Sequence, residues 1–159
     1  MKTLILMRHA KSDHGDAGLA DHDRPLNARG IRSAPHMAEK IKAGQLMPDA
    51  IVSSTALRAR ETARLVADAL EFAAPIDQRR ALYLTTPRAY IDEFRSLPDE
   101  WARVLIVGHN PTLESLVNLW TDEEHEFPTA AVAAWQLDVD SWRQVSLEAR
   151  PELLALWHP

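Results

Sequence analysis

Two arginines and two histidines stand near the predicted ends of strands or helices, at three separate places in the chain. They are Arg8, His9, Arg58 and His109. A guanidinium group is a permanently charged fork that binds a phosphoryl group through two hydrogen bonds and stabilises the charge of its transition state. The same charge disfavours protonation of a nearby imidazole, so His9 would stay neutral and free to attack phosphorus. His109 would donate to a nonbridging oxygen. The set predicts phosphoryl transfer through a phosphorylated His9, with no metal ion and no cofactor.

Arg58 occupies a position that favours anion binding. It falls in the first turn of a predicted helix, where free backbone N–H groups and the helix dipole already attract anions. An arginine there opposes the dipole at a cost of a few tenths to about 1 kcal/mol, which makes a purely structural role less favourable. Paired with Arg8, it would bind phosphate.

Short apolar runs are predicted to position these residues. The runs Leu4–Met7, Ala50–Ser53 and Val104–Val107 are too short for helices and suit parallel strands covered on both faces. Ligands collect at the carboxyl ends of such strands. The alternating segment Ala133–Val139 and the run Leu153–Trp157 predict an antiparallel edge. We therefore expect a three-layer α/β fold, with a mostly parallel central sheet and helices on both faces.

Four helices complete the pattern. Asn27 is predicted to cap the first, Pro35 to kink or delay it, and Gly44 to end it. Its apolar face is expected to comprise Ile31, Ala34, Ala38 and Ile41. The second follows Ser54, and the third has Thr86 as its cap and Pro87 at its first position. The fourth would have Asn110 as its cap and Pro111 at its first position.

Length and composition limit the classes of protein. The 159 residues fit a single domain, 1–159, without a large insertion. No cysteine is present, which excludes disulfides and Cys-ligated zinc and fits a reducing compartment. A net charge of −5 argues against nucleic-acid binding. No apolar run has the length of a membrane span, so we expect a cytoplasmic protein without a membrane partner.

Two alternatives to this chemistry deserve comparison. A non-enzymatic phosphate-binding module has no need of a nucleophile beside its arginines. A metal hydrolase would draw its ligands from His9 and the loop that follows, but that loop lacks the spacing typical of ligand sets. The candidate ligands are His9, Asp13, His14, Asp16, His22 and Asp23.

The motifs MRHAKS, SSTALRARETA and VGHNP resemble, in order, those of the histidine phosphatase superfamily. The resemblance implies a phosphoglycerate mutase-like fold, in which Arg8 and Arg58 bind phosphate, His9 is phosphorylated and His109 is the second pocket histidine. The segment DHDRPLNARG and the short length look most like the small phosphohistidine phosphatase branch named SixA, which lacks large lid insertions.

The chain departs from that family in two places. Ala10 stands where glycine is usual, which would be strained if the backbone needed a positive φ. The segment 81–84 (ALYL) offers no carboxylate as a general acid for an alcohol leaving group. Asp13, Asp21 and Asp23 are the candidate acids, and Ser12 could add a hydroxyl to the phosphate site.

The missing acid bears on the substrate. A phosphoramidate such as phosphohistidine has a comparatively good leaving group that can already carry its proton. We therefore expect a phosphatase acting on phosphohistidine in proteins. The alternative is an enzyme for a small phosphorylated substrate, either a phosphomonoesterase or a phosphoglycerate mutase-like transferase.

Overall fold

The computed structural model describes all 159 residues, Met1 to Pro159. Six strands form one sheet in the order β3-β2-β4-β1-β5-β6. Their bounds are β1 (Lys2–Arg8), β2 (Ala50–Ser54), β3 (Asp77–Arg79), β4 (Arg103–Gly108), β5 (Val132–Leu137) and β6 (Glu152–Trp157). Strands β1 to β4 are parallel, and β5 and β6 add two antiparallel pairings at one side. The predicted mostly parallel sheet with an antiparallel C-terminal edge is confirmed.

Four α-helices cover the two faces of this sheet. They are α1 (Ala28–Ala43), α2 (Leu57–Ala69), α3 (Pro87–Arg95) and α4 (Thr112–Thr121). Met37 of α1 and Val66 of α2 lie in one buried cluster, and Phe94 of α3 and Trp120 of α4 lie in the other. The protein therefore has the three predicted layers, with a hydrophobic core on each side of the sheet.

The burial of β1 on both faces of the sheet explains its continuous apolar run, Leu4–Met7. Leu4 and Leu6 pack into the core beneath α3 and α4, whereas Ile5 and Met7 pack into the core beneath α1 and α2. A strand covered on both faces needs apolar residues at every position. β5 behaves in the same way, because Ala133 and Ala134 face opposite cores. The predicted half-buried alternation of β5 is therefore wrong, and the strand ends at Leu137, before Val139.

Helix α1 differs in detail from the prediction. Asn27 caps it by accepting the Gly30 N–H (3.0 Å), and the helix begins well before Pro35 and continues through it, so Pro35 does not delay it. Ile31 is 48% exposed and lines a surface groove with Leu57 instead of the core.

Gly44 ends α1 for a reason that the sequence did not indicate. Its φ of −77° is open to any residue, and the left-handed residue is Gln45 (φ 59°). A Cβ on Gly44 would lie 2.6 Å from the Trp157 ring. Glycine is needed here because β6 approaches the helix end closely.

Helix α4 begins one residue later than predicted, at Thr112, with Pro111 as the flanking residue. The Asn110–Pro111 peptide is cis. Asn110 still supports the helix start, because its Oδ1 accepts the N–H of Glu114 (3.3 Å). None of the four helices combines the length and apolar character that crossing a membrane requires.

Candidate active site

The sheet order brings the four predicted residues together. β4 lies between β1 and β2, and Arg8 at the end of β1 is opposite Gly108 at the end of β4. His9 and His109 directly follow these strands, and their ring centroids are 5.2 Å apart. Arg58 enters from the first turn of α2, and its Nε lies 3.4 Å from Nε2 of His9. The carboxyl edge of the sheet therefore holds one compact, positively charged pocket.

The His9 ring is fixed with one nitrogen free of backbone contacts. Its Nδ1 lies 2.7 Å from the carbonyl oxygen of Ala10. Because that oxygen only accepts, Nδ1 carries the ring hydrogen and Nε2 keeps its lone pair. Burial, followed by the charges of Arg58 and Arg8, lowers the pKa of His9 from 6.5 to about 3. The ring is therefore neutral near pH 7, as a nitrogen nucleophile requires.

Each residue of the Ser-x-x-x-Arg-Ala-x-x-Thr pattern at the start of α2 has a structural purpose. Arg58 is 3% exposed and points into the pocket, and Ala59 packs in the core. Thr62 donates to the Arg58 carbonyl (2.7 Å) and accepts the N–H of Ala10 (2.9 Å). The motif therefore links the helix that carries Arg58 to the loop that carries His9.

Ser54, at the end of β2, orients His109. The Ser54 hydroxyl oxygen accepts the Ala56 N–H (3.2 Å) and lies 2.8 Å from Nε2 of His109. When the hydroxyl donates to Nε2, the hydrogen of neutral His109 lies on Nδ1. That buried Nδ1 has no partner within the protein. Burial and the neighbouring His9 and Arg58 lower the pKa of His109 from 6.5 to about 3.

Arg8 is held from the opposite side of the pocket. Its Nη1 donates to the carbonyl of Phe127 (3.3 Å), and its buried Nε has no protein partner. Asn110 donates to the same carbonyl (2.8 Å), while the Phe127 N–H donates to Glu114 (2.9 Å). Burial lowers the pKa of Arg8, an effect that nearby Glu114 opposes. Because buried donors are normally paired, the free Nε of Arg8 and Nδ1 of His109 are suited to ligand oxygens.

Asp21 is the one predicted acid that reaches the pocket. Arg58 donates to its carboxylate (3.0 Å) and to its backbone carbonyl (2.7 Å). Tyr83 donates to the same carboxylate oxygen, and Arg24 donates to the other (3.1 Å). The hydrogen bond from Tyr83, together with the arginines, lowers the pKa of Asp21 to about 2. Asp21 is therefore ionised near pH 7.

The side chains of the other predicted loop residues make no hydrogen bond to the four central residues. Asp13 accepts the Gly15 N–H (2.7 Å) in a local turn. Asp23 is exposed, and its Oδ1 lies 3.7 Å from Nδ1 of His22. The Ser12 hydroxyl is buried and accepts from Arg24 (3.0 Å). The structure thus ties Ser12 to its own loop.

Ala10 adopts an ordinary backbone conformation, so the absence of glycine causes no strain there. Ala130, by contrast, has a positive φ (64°) and contacts the backbone of the site. Its N–H donates to the carbonyls of Arg8 (3.2 Å) and His9 (3.1 Å). A left-handed alanine costs about 1–2 kcal/mol, and here that conformation anchors the backbone of the two pocket residues.

The residues suggested as metal ligands do not converge. No group of three or more His, Asp or Glu side chains lies close enough to hold an ion. The structure therefore provides no ligand set for the metal hydrolase alternative.

Tyr83 is a pocket residue that the sequence interpretation missed. Its ring meets His109 edge-on, with centroids 5.5 Å apart, and Arg58 lies 5.9 Å from the ring centre. Burial and the bond to Asp21 raise the pKa of Tyr83. Tyr83 lies in the segment 81–84 (ALYL), and no sequence motif indicates its role in the pocket.

This sheet, with a pocket of two arginines and two histidines at its carboxyl edge, defines an α/β protein with the phosphoglycerate mutase-like fold. Comparison with known families gives the class directly. The model of the histidine phosphatase superfamily (branch 1) matches residues 4–83, and the chain belongs to that family.

Two uncharacterized mycobacterial proteins are similar to this chain. An uncharacterized protein of Mycobacterium leprae is 32% identical over 166 aligned residues, which cover 96% of this chain and 99% of the relative. An uncharacterized protein of Mycobacterium tuberculosis is 42% identical over 110 residues. That alignment covers 69% of this chain and 66% of the relative, slightly less than two thirds of its length.

Solved structures identify the branch. SixA from Agrobacterium tumefaciens is 27% identical with a TM-score of 0.84, over 99% of this chain and 98% of that chain. The protein histidine phosphatase SixA complexed with tungstate is 26% identical with a TM-score of 0.76, over 86% and 88% of the two chains. The chain is therefore a SixA-like member of the histidine phosphatase superfamily.

Proposed function

We propose that this protein is a metal-independent phosphatase that forms a phosphohistidine intermediate on His9. The carrying observation is the unprotonated Nε2 of His9, which accepts the Nε–H of Arg58 (3.4 Å) while Nδ1 is held by the Ala10 carbonyl (2.7 Å). In the first step the Nε2 lone pair forms a bond to phosphorus, and the bond to the leaving group breaks with its electron pair. Water then hydrolyses the phosphorylated ring and releases phosphate.

The remaining pocket residues stabilise the charge on the phosphoryl oxygens. Arg8 and Arg58 bind these oxygens as fixed cationic donors, and the unpaired Nε of Arg8 supplies one such contact. His109 donates from its unpaired Nδ1 to a nonbridging oxygen. Donors already in place when charge develops need no reorganisation during the reaction.

The substrate that fits this site best is phosphohistidine in a protein. Asp21 is ionised near pH 7, so it is poorly suited to protonate an alcohol leaving group. A phosphohistidine ring can bring its own proton on the nitrogen that is not phosphorylated. The likeness to SixA, which is described as a protein histidine phosphatase, supports the same substrate class.

Turnover of three substrate types tests this proposal. We expect a histidine-phosphorylated protein to be dephosphorylated with a higher kcat/KM than para-nitrophenyl phosphate or a phosphoglycerate. Released phosphate would be measured under identical buffer conditions. A preference for either ester by orders of magnitude would contradict the substrate and favour the small-molecule phosphomonoesterase or mutase-like alternative.

A further inference from the structure

The proposed reaction transfers a phosphoryl group from one imidazole ring to another. In both rings, the nitrogen that is not phosphorylated must therefore keep its proton. His9 attacks through Nε2 while its Nδ1–H is held by the Ala10 carbonyl (2.7 Å). The phosphorylated His9 ring is therefore a cation that keeps its N–H bonded. The substrate ring undergoes the same change in reverse. It leaves as neutral imidazole only when its second nitrogen carries a proton as the bond to phosphorus breaks.

An acceptor for that second N–H must lie at the open side of the pocket. The Ala10 carbonyl is already used by His9. The Glu114 carboxylate accepts the Phe127 N–H (2.9 Å), which places it behind Arg8. Asp21 is the carboxylate in direct contact with Arg58, and its side chain is 45% exposed.

The Asp21 carboxylate has capacity for another hydrogen bond. Arg58 and Tyr83 donate to Oδ2, and Arg24 donates to Oδ1. A carboxylate offers about four lone-pair positions, so one position on Oδ1 remains. These three donors also hold the group in place, so binding a ligand there loses little conformational entropy.

Two imidazole rings already pack against Tyr83, the aromatic residue that donates to Asp21. Tyr83 packs edge-on against His22, with centroids 4.8 Å apart, and edge-on against His109 at 5.5 Å. Aromatic rings at such distances attract each other beyond what their buried area provides. An imidazole entering beside Tyr83 therefore meets an aromatic wall and an anionic acceptor together.

We propose that Asp21 determines specificity for phosphohistidine by accepting a hydrogen bond from the N–H of the substrate ring, on the nitrogen that is not phosphorylated. This inference rests on the proposed function and adds the residue that selects the substrate class. The Nε2 lone pair of His9 bonds to phosphorus, and the N–P electron pair returns to the substrate ring. That ring, a cation before cleavage, leaves as neutral imidazole with its N–H still on Asp21. No proton is transferred in this step.

Asp21→Asn tests the proposal through a ratio of two substrates. Para-nitrophenolate leaves without needing a proton, whereas phosphohistidine needs its N–H stabilised. We expect Asp21→Asn to lower kcat/KM for a phosphohistidine peptide by about 10- to 100-fold, the range for losing a charged acceptor. Para-nitrophenyl phosphate should lose less, because only the support of Arg58 is weakened, so the ratio of the two kcat/KM values should fall about tenfold.

Matched variants complete the test. Asp16→Asn removes one charge from the same loop and keeps a side-chain oxygen for the Gly18 N–H, so both substrates should be unaffected. Tyr83→Phe removes the hydroxyl that donates to Asp21 and keeps the carboxylate. The ratio of the two kcat/KM values should therefore stay within about threefold of wild type. This variant can be measured even if Asp21→Asn does not fold.

The outcomes separate the two proposals. Equal losses with both substrates in Asp21→Asn would show that Asp21 only positions Arg58, and no loss with phosphohistidine would equally overturn the inference. A ratio that shifts as far in Tyr83→Phe would assign selectivity to the hydroxyl instead. If wild type turns over para-nitrophenyl phosphate but not the phosphohistidine peptide, the proposed substrate itself is wrong.

Discussion

Arg58 has more polar contacts in the pocket than any other residue predicted to bind phosphate. Its guanidinium is almost fully buried and contacts Nε2 of His9, the carboxylate of Asp21 and the Asp21 carbonyl. A planar fork can make these contacts at once, whereas the ammonium of lysine is a point charge on a flexible stem. The position therefore requires the shape of arginine as well as its charge.

Arg58→Lys should lower kcat/KM for para-nitrophenyl phosphate by about 10²- to 10³-fold, the range for losing one preorganised donor to a developing anion. Steady-state kinetics would measure it. Arg60→Lys is the matched control on the same helix, because the Nε of Arg60 bonds the Thr55 carbonyl outside the pocket. A change of less than threefold in Arg58→Lys would contradict the role proposed for the fork.

At the scale of elements, α4 and the turn before β5 act together to position Arg8. Glu114 on α4 accepts the N–H of Phe127, and Asn110 donates to the Phe127 carbonyl. Arg8 donates to that same carbonyl. The Phe127 peptide is therefore fixed on both sides, and its orientation sets the position of one Arg8 nitrogen.

Glu114→Ala should leave the Phe127 N–H without its acceptor and destabilise the fold by about 1–3 kcal/mol. We also expect kcat/KM to fall about tenfold, because Arg8 loses a fixed partner. Glu114→Gln keeps an acceptor oxygen and should restore kcat/KM to within about threefold of wild type. Denaturant unfolding and steady-state kinetics would measure these effects. Wild-type stability and wild-type kcat/KM in Glu114→Ala would show that this turn does not position Arg8.

At the scale of the whole molecule, the buried histidines make folding stability depend on pH. Burial lowers the pKa of His9 and of His109 from 6.5 to about 3. Between these values the unfolded chain binds a proton at each residue that the folded chain does not bind. Their contribution to stability is therefore complete above about pH 6.5 and is lost as pH falls toward 3.

The unfolding free energy should fall between pH 6.5 and 4 by up to about 1.4 kcal/mol per pH unit for each histidine. His109→Asn should flatten this slope, and His36→Asn, which changes an exposed residue of α1, should leave it intact. Denaturant titrations at several pH values would measure the slopes. Equal slopes in wild type and His109→Asn would contradict the burial of a neutral ring.

The sequence was most informative where one local pattern determines a feature. Continuous apolar runs marked β1, β2 and β4, so the meeting of Arg8, His9 and His109 at one edge of the sheet was predictable. Arg58 was predictable because its helix starts at the same edge.

Long-range contacts were not predictable in the same way. Tyr83 reaches Asp21 across 62 residues, and Glu114 reaches Phe127 across 13, without any periodic signal. Likewise, Gly44 needs to be glycine only because Trp157 packs beside it. Such features depend on how elements meet, which short sequence patterns do not encode.

Detection of the phosphorylated enzyme is the most direct test of a phosphohistidine intermediate on His9. The protein would be incubated with a radiolabelled phosphodonor, quenched in alkali, and analysed for bound phosphate and its position. We expect label on His9 that survives base and is lost in acid, and no label in His9→Ala. Label that persists in His9→Ala, or that survives acid, would contradict it.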